Sequence, residues 1–184
     1  NDNFLLYYAG HGELDRVNDR GYWLPVDAAP GDTTNWIANT DVTGILNVMK
    51  AKHAMVIADS CYSGSLAEGA VVATAPVARE TSPEQYERFL KIMGQARSRV
   101  VLTSGGLQPV LDEGNGDGHS LFANQLLSVL RRNRGILESP DLYTALADNV
   151  RTEARRLGIE QEPAYARISF AGDLLAPFFF KPRA

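Results

Sequence analysis

The sequence predicts a single α/β domain with a mostly parallel central sheet covered by helices on both faces. Short apolar runs at residues 3–9, 53–58 and 99–103 have the composition of fully buried strands, and segments with helical spacing lie between them. Strands that alternate with helices favour a parallel sheet, and strands without polar alternation are typical of a sheet buried on both faces. A chain of 184 residues, 45% of them hydrophobic, is long enough for one domain with its own core.

Local signals set the elements between the first two strands. Glycine, proline, Asp and Asn are frequent over 13–40 and predict a long loop that contains a short strand near 22–26. Apolar residues then recur at helical spacing over 41–51, where Thr40 or Asp41 can cap the start of a helix. The second buried strand follows this helix directly.

The second half of the chain continues the alternation. Small residues without clear periodicity make 65–82 a predicted surface loop, and Ser82 with Pro83 begins a helix that ends near Gln95. The remaining predicted elements are a strand at 99–103, a glycine-rich loop at 105–118, helices at 120–133 and 139–158, and strands at 164–171 and 174–180.

The composition excludes several classes of function. The net charge of -4 and the pI near 5.4 argue against a nucleic-acid partner, which requires a basic surface. No apolar run approaches the roughly 20 residues of a membrane-spanning helix, and no glycine-rich phosphate loop is present. The lone cysteine, Cys61, cannot form an internal disulfide, which fits a reducing compartment, and we therefore expect a cytoplasmic protein.

Two short motifs follow the first two predicted strands. His11 lies in Tyr-Ala-Gly-His-Gly at 8–12, and Cys61 lies in Asp-Ser-Cys-Tyr-Ser-Gly at 59–64. Because ligands bind beyond the carboxyl ends of parallel strands, we expect both side chains at one edge of the sheet. A thiol beside an imidazole is an activated nucleophile with its base. The alternatives are a small buried cysteine and a histidine that merely occupies a turn.

These motifs resemble those of the caspase-type cysteine peptidases, most closely the metacaspases and their bacterial relatives. The separation, 61 − 11 = 50 residues, matches the caspase spacing of His and Cys. Segments that also resemble the family are 21–27, 102–106, 118–122 and 161–163. The resemblance covers nearly the whole chain and implies one caspase-like domain over 1–184. The family's first strands precede Tyr7, so we expect a missing N-terminal segment or a partner chain to complete the sheet.

The resemblance implies a role for each residue of the motifs. Cys61 would be the nucleophile, and His11 would accept the thiol proton and later protonate the leaving amine. The backbone N–H groups of Gly12 and Cys61 would form the oxyanion hole. Two alternatives stay open, a catalytically silent caspase-fold scaffold and a more distant peptidase relative such as the separase-like proteins.

The resemblance also implies specificity for basic residues. Asp59, two positions before the nucleophile, matches the acid at the base of the metacaspase pocket, which favours Arg or Lys before the cut. Asp59 could instead cap a turn. The family's second acidic position matches the neutral Gln108, and Asp112 is a candidate to replace it, unless it belongs to a solvated loop.

We expect neither a metal nor any other cofactor. The positions that match the family's calcium ligands are Arg20, Asn39, Thr40 and Glu68, and an arginine does not fit a calcium cage of carboxylate oxygens. His53 and His119 are interpreted as structural histidines.

The segment 65–98 is interpreted as an inter-subunit-type loop and helix within the domain. Its first part contains Arg79 among small residues, and exposed loop tips are preferred sites of proteolytic nicking. An enzyme that cuts after arginine would therefore find a self-cleavage site after Arg79.

Overall fold

The computed structural model describes residues 2–61, 66–68, 82–105, 118–168 and 176–182. In chain order the elements are β1 (Asn3–Ala9), β2 (Gly12–Asp15), β3 (Arg20–Trp23), β4 (Ile37–Ala38), α1 (Asn39–Val48), β5 (His53–Asp59), β6 (Ala67–Glu68), α2 (Pro83–Met93), β7 (Ser98–Thr103), α3 (Leu121–Arg132), β8 (Leu137–Glu138), α4 (Ser139–Arg156), β9 (Ala164–Ile168) and β10 (Phe179–Phe180).

The central sheet has the strand order β1-β5-β7-β9-β6. The first three strands are parallel to one another, whereas β9 runs antiparallel to β7, and β6 antiparallel to β9. The predicted α/β domain with a mostly parallel sheet is therefore confirmed.

Both faces of the central strands are buried. Met55 and Ile57 of β5 pack in a core cluster with residues of α3 and α4, whereas Val56 packs in a second cluster that includes Val42 and Leu46 of α1. Successive residues of a strand point to opposite faces, so the continuous apolar run of β5 serves two cores at once. The prediction of full burial is confirmed for β5 and β7, all of whose residues are buried.

The first strand, β1, was predicted to be fully buried, and this prediction is wrong. Its residues alternate between exposed and half-buried, with Leu5 47% and Tyr7 44% exposed. The reason is its position, because β1 lies at the edge of the described sheet and pairs there only with β5. Tyr8 on its covered face stacks on Trp23, with ring centroids 4.3 Å apart.

The predicted long loop at 13–40 contains a three-stranded antiparallel sheet, β2-β3-β4. The turn between β2 and β3 is built by Asp15, whose Oδ1 accepts the N–H of Val17 at 2.9 Å, and by Asp19 in a left-handed conformation with φ of 52°. Because β4 leads directly into α1, that helix begins at Asn39 without a side-chain cap, and neither predicted cap is used.

The helix starts in the second half follow the predicted capping chemistry. Ser82 caps α2 in a capping box with Gln85, and Ser120 caps α3 by accepting the N–H of Ala123 at 2.9 Å. The two-residue strand β8 was not predicted. The described end of the predicted last strand, β10, pairs with β8 and lies outside the central sheet. In the part of the chain that the structure describes, no helix has the length and apolar character needed to cross a bilayer.

Candidate active site

The two sequence motifs meet at the carboxyl ends of β1 and β5. Ala9 pairs with Asp59 in the parallel register, and just beyond it the N–H of Gly10 donates to the carbonyl of Asp59 at 3.2 Å. The chain that leaves β1 therefore runs across the end of β5. This is the edge at which an open parallel sheet binds its ligands.

Gly12 lies directly against the backbone of Cys61. A Cβ atom added to Gly12 would lie 2.1 Å from the carbonyl oxygen of Cys61, closer than any real contact of that kind. A side chain at position 12 would therefore push the two motifs apart. The absence of a side chain is what lets the segment after His11 pack on Cys61, which is itself partly exposed.

The backbone of His11 is held from two directions. Its carbonyl accepts the N–H of Leu24 at 3.0 Å and the hydroxyl of Tyr8 at 2.8 Å. The same hydroxyl accepts the N–H of Leu24 at 3.1 Å. The antiparallel sheet that follows β1 thus fixes the main chain of His11, while its side chain remains exposed.

An open cavity of about 370 Å³ lies beside these motifs. Its lining consists of Tyr7, Ala9, Gly10, His11, Asp59, Gly118, His119, Ser120 and Ala123. The cavity therefore brings the predicted base, His11, together with the predicted specificity residue, Asp59. Cys61 follows Asp59 by two residues and does not belong to this lining.

The carboxylate of Asp59 is buried, with 6% of the residue exposed. Its Oδ2 accepts a hydrogen bond from the Ser120 hydroxyl and a longer one, 3.5 Å, from the Tyr7 hydroxyl. Burial, together with the negative charge of Asp59 and this hydrogen bond, raises the pKa of Tyr7 to about 12. Tyr7 therefore stays protonated at neutral pH and can act only as a neutral donor toward the carboxylate.

Three residues of the cavity with polar side chains had not been predicted as site residues. Tyr7 had been read only as part of a strand, Ser120 only as a helix cap and His119 as a structural histidine, but all three line the cavity. Two signals were available for His119 and Ser120: segment 118–122 resembles the family, and both residues lie between the predicted glycine-rich loop and a helix start. His53, by contrast, is buried at the start of β5, as a structural role requires.

The other predicted residues contribute less to the described site. Gln108, Asp112 and Arg79 lie outside the described residues. Of the positions that match calcium ligands, Arg20 and Thr40 are exposed and Asn39 is buried. Within the described ranges no group of three or more His, Cys, Asp or Glu side chains could hold a metal ion.

Comparison with family models decides the membership of the chain. The model of the caspase domain, peptidase family C14, matches residues 1–175. The chain belongs to the caspase domain family. The motifs around His11 and Cys61 resemble this same family, and the α/β fold with its mixed, mostly parallel sheet agrees with the membership. A search of curated proteins found no significant match.

Proposed function

We propose that this caspase domain is a cysteine endopeptidase that uses His11 and Cys61 as its catalytic dyad and cleaves after Arg or Lys. The observation that carries the proposal is the cavity shared by His11 and the buried Asp59, next to the contact between Gly12 and Cys61. Membership of a family of cysteine peptidases supports the reaction class.

The chemistry follows from the groups available. His11 accepts the proton of the Cys61 thiol, and the thiolate attacks the carbonyl carbon of the scissile bond. The N–H groups of Gly12 and Cys61 stabilise the oxyanion of the tetrahedral intermediate. The C–N bond breaks as His11 returns the proton to the leaving amine, and water then hydrolyses the thioester. Glycine at position 12 keeps the approach to Cys61 free of a side chain.

Asp59 supplies the reason for basic specificity. A carboxylate that is almost fully buried is costly unless a positive charge or several hydrogen bonds compensate it. Hydroxyl donors compensate part of that cost here, and the open cavity leaves room for a cationic side chain. A protein or peptide substrate with Arg or Lys before the cut fits this cavity better than one with Asp, whose charge Asp59 would repel.

A panel of fluorogenic peptides that differ only in the residue before the cut tests this function. Wild type should cleave the Arg and Lys peptides at least about 100-fold faster than the Asp peptide, because like charges in a desolvated pocket cost several kcal/mol. Asp59→Asn should reduce that preference. Faster cleavage of the Asp peptide would refute the specificity. No cleavage of any peptide, with slow alkylation of Cys61, would favour the silent scaffold.

Two further parts of the proposal concern residues outside the described ranges. Asp112 is proposed as a second acid of the pocket in place of Gln108, and Asp112→Ala should then weaken the Arg preference. We also propose self-cleavage after Arg79, within the 65–98 segment. Mass spectrometry should find these fragments in wild type and not in Cys61→Ala, and equal fragments in both would remove the idea.

The proposed enzyme is active without calcium, but it requires Cys61 as a reduced thiol. Because Arg20, Asn39 and Thr40 stand where the resemblance implies calcium ligands, EGTA should leave the activity unchanged. A saturable calcium requirement would show that other residues bind the ion. The need for a free Cys61 thiol makes a reducing compartment such as the cytoplasm the proposed location.

The exposed edge of β1 is the proposed place for the strands that complete the sheet. In the described sheet β1 is a terminal strand that pairs with β5, and an edge strand accepts further strands readily. Either a preceding segment or a partner chain would fill it.

A further inference from the structure

Two hydroxyl groups from different elements hold the carboxylate of the candidate pocket. Asp59 ends β5, Tyr7 lies on the edge strand β1, and Ser120 immediately precedes α3. Both hydroxyls donate to the same atom, Oδ2 of Asp59, and all three residues line the cavity. The carboxylate is therefore tied to two of the walls between which a substrate side chain would enter.

Ser120 makes two hydrogen bonds with one hydroxyl. Its Oγ accepts the N–H of Ala123 at 2.9 Å, which caps α3, and donates its own hydrogen to Asp59. A hydroxyl has one donor and two acceptor sites, so both bonds form together. Because Leu121 and Phe122 are buried at 3% and 0% exposure, the start of α3 is fixed in the core. The position of Oγ is therefore set by the fold.

Tyr7 contacts Asp59 from a different element, the edge strand β1. Its pKa is raised to about 12, chiefly by burial and then by the charge of Asp59, so its hydroxyl keeps its proton at neutral pH. Together the hydroxyls of Tyr7 and Ser120 orient the Asp59 side chain.

We propose that Ser120 is a positioning residue for substrate selection, holding Asp59, with the help of Tyr7, in the orientation that receives a basic side chain. This inference rests on the proposed function, because it takes Asp59 as the residue that binds Arg or Lys. A preorganised carboxylate gains selectivity because no rotamer freedom is lost when the cation binds.

The decisive variant is Ser120→Ala, tested on an Arg peptide and on its neutral citrulline counterpart. The kcat/KM for the Arg peptide should fall about tenfold, mainly through KM, because a hydrogen bond to a charged group is lost. The citrulline peptide should change less than about twofold. Ser120→Thr keeps a hydroxyl on the same carbon and should restore the Arg preference.

Ser82→Ala is the matched control for the loss of a helix cap. Ser82 caps α2 by accepting the N–H of Gln85 at 3.3 Å and lies on an exposed helix start. Its removal should lower Tm by an amount comparable to Ser120→Ala, because both changes delete a serine N-cap. The ratio of Arg to citrulline cleavage should remain that of wild type.

A double-mutant cycle separates positioning from other effects of Ser120. In an Asp59→Asn background, Ser120→Ala should leave the remaining Arg-to-citrulline ratio unchanged, because the residue through which it acts no longer carries the charge. If Ser120→Ala lowered kcat/KM by the same factor for both peptides, so that their ratio stayed unchanged, the inference would be overturned. If wild type itself shows no preference for Arg over Asp, the proposed function fails first, and that outcome is distinct.

Discussion

Two buried charged side chains lie at opposite ends of the central sheet and are compensated in different ways. Arg99 near the start of β7 is fully buried, and its guanidinium donates to five backbone carbonyls at 2.6 to 2.9 Å. Those acceptors belong to Leu46, Met49, Ala51, Lys52 and Ser98. Asp59 at the end of β5 is held by side-chain hydroxyls and lines an open cavity.

The difference separates a structural charge from a candidate functional one. An arginine has five N–H donors. All five of Arg99 donate to backbone carbonyls, which belong to the end of α1, the segment after it and Ser98. The C-terminal end of a helix carries a partial negative charge, which also favours a cation there. Arg99 thus has nothing left to bind a ligand, whereas Asp59 faces space that a ligand can fill. Burial of a charge indicates function only when a cavity accompanies it.

The largest effect is expected at the Asp59 end and concerns activity alone. Cys61→Ala removes the nucleophile, and His11→Ala removes the base, so each should lower kcat/KM at least about a thousandfold. Peptide cleavage measures the loss. Retention of more than a few per cent of the activity by either variant would contradict the dyad.

The same variants should leave stability nearly unchanged. Cys61 is partly exposed and His11 is exposed, so neither substitution creates a large cavity in the core. Thermal unfolding should show Tm values close to that of wild type. A large fall in Tm would mean that the loss of activity reports unfolding and not chemistry.

The opposite pattern is expected for Arg99→Met. This substitution keeps an unbranched side chain but removes five hydrogen bonds to buried or partly buried carbonyls, although the Lys52 carbonyl keeps the N–H of Ser98 at 2.9 Å. It should cost about 3–5 kcal/mol of stability. Denaturant unfolding measures the cost. Molecules that remain folded should keep the wild-type kcat/KM, because Arg99 lies far along the strand from the cavity.

Arg97→Met is the matched control. Arg97 donates to the carbonyl of Asn47 near the same helix end but is only partly buried, so its loss should cost less than about 1 kcal/mol. Equal costs for the two arginines would show that carbonyl saturation is not what makes Arg99 important.

The sequence predicted the Asp59 end better than the Arg99 end. His11 and Cys61 lie in motifs whose positions at strand ends follow from hydrophobic patterning, and the β1–β5 pairing brings those ends together as expected. Arg99 begins a predicted apolar strand, but nothing in the local sequence shows that the carbonyls around it come from residues 46–52. Long-range hydrogen bonds of this kind depend on the tertiary fold.

The wrong or missing predictions also concern features that depend on the tertiary fold. Full burial of β1 was inferred from its composition, yet burial depends on neighbours that the local sequence does not specify, and Leu5 is exposed. Strands of two residues, such as β4 and β8, are too short to show a period of two. Ser120 shows the limit most clearly, since its role as a helix cap was readable, whereas its bond to Asp59, 61 residues away, was not.

The smallest effect is expected from a titration at the Arg99 end. His53 is buried at the start of β5, and burial lowers its pKa below the ordinary 6.5, although nearby carbonyls of Met93, Ala96 and Pro177 oppose that shift. Between the lowered folded pKa and 6.5, the unfolded chain binds the proton more readily than the folded protein. This contribution to stability is therefore complete above about pH 6.5 and is lost as the pH falls below it.

His53→Gln isolates this contribution from those of other groups. One of these is Glu138, whose pKa is raised by burial and whose effect on stability with falling pH has the opposite sign. The free energy of unfolding of wild type should fall more steeply than that of the variant between pH 7 and 5, by no more than about 1.4 kcal/mol per pH unit. Equal slopes for wild type and His53→Gln would show that His53 binds its proton as readily in the folded protein as in the unfolded chain, and that burial at the start of β5 does not oppose its charge.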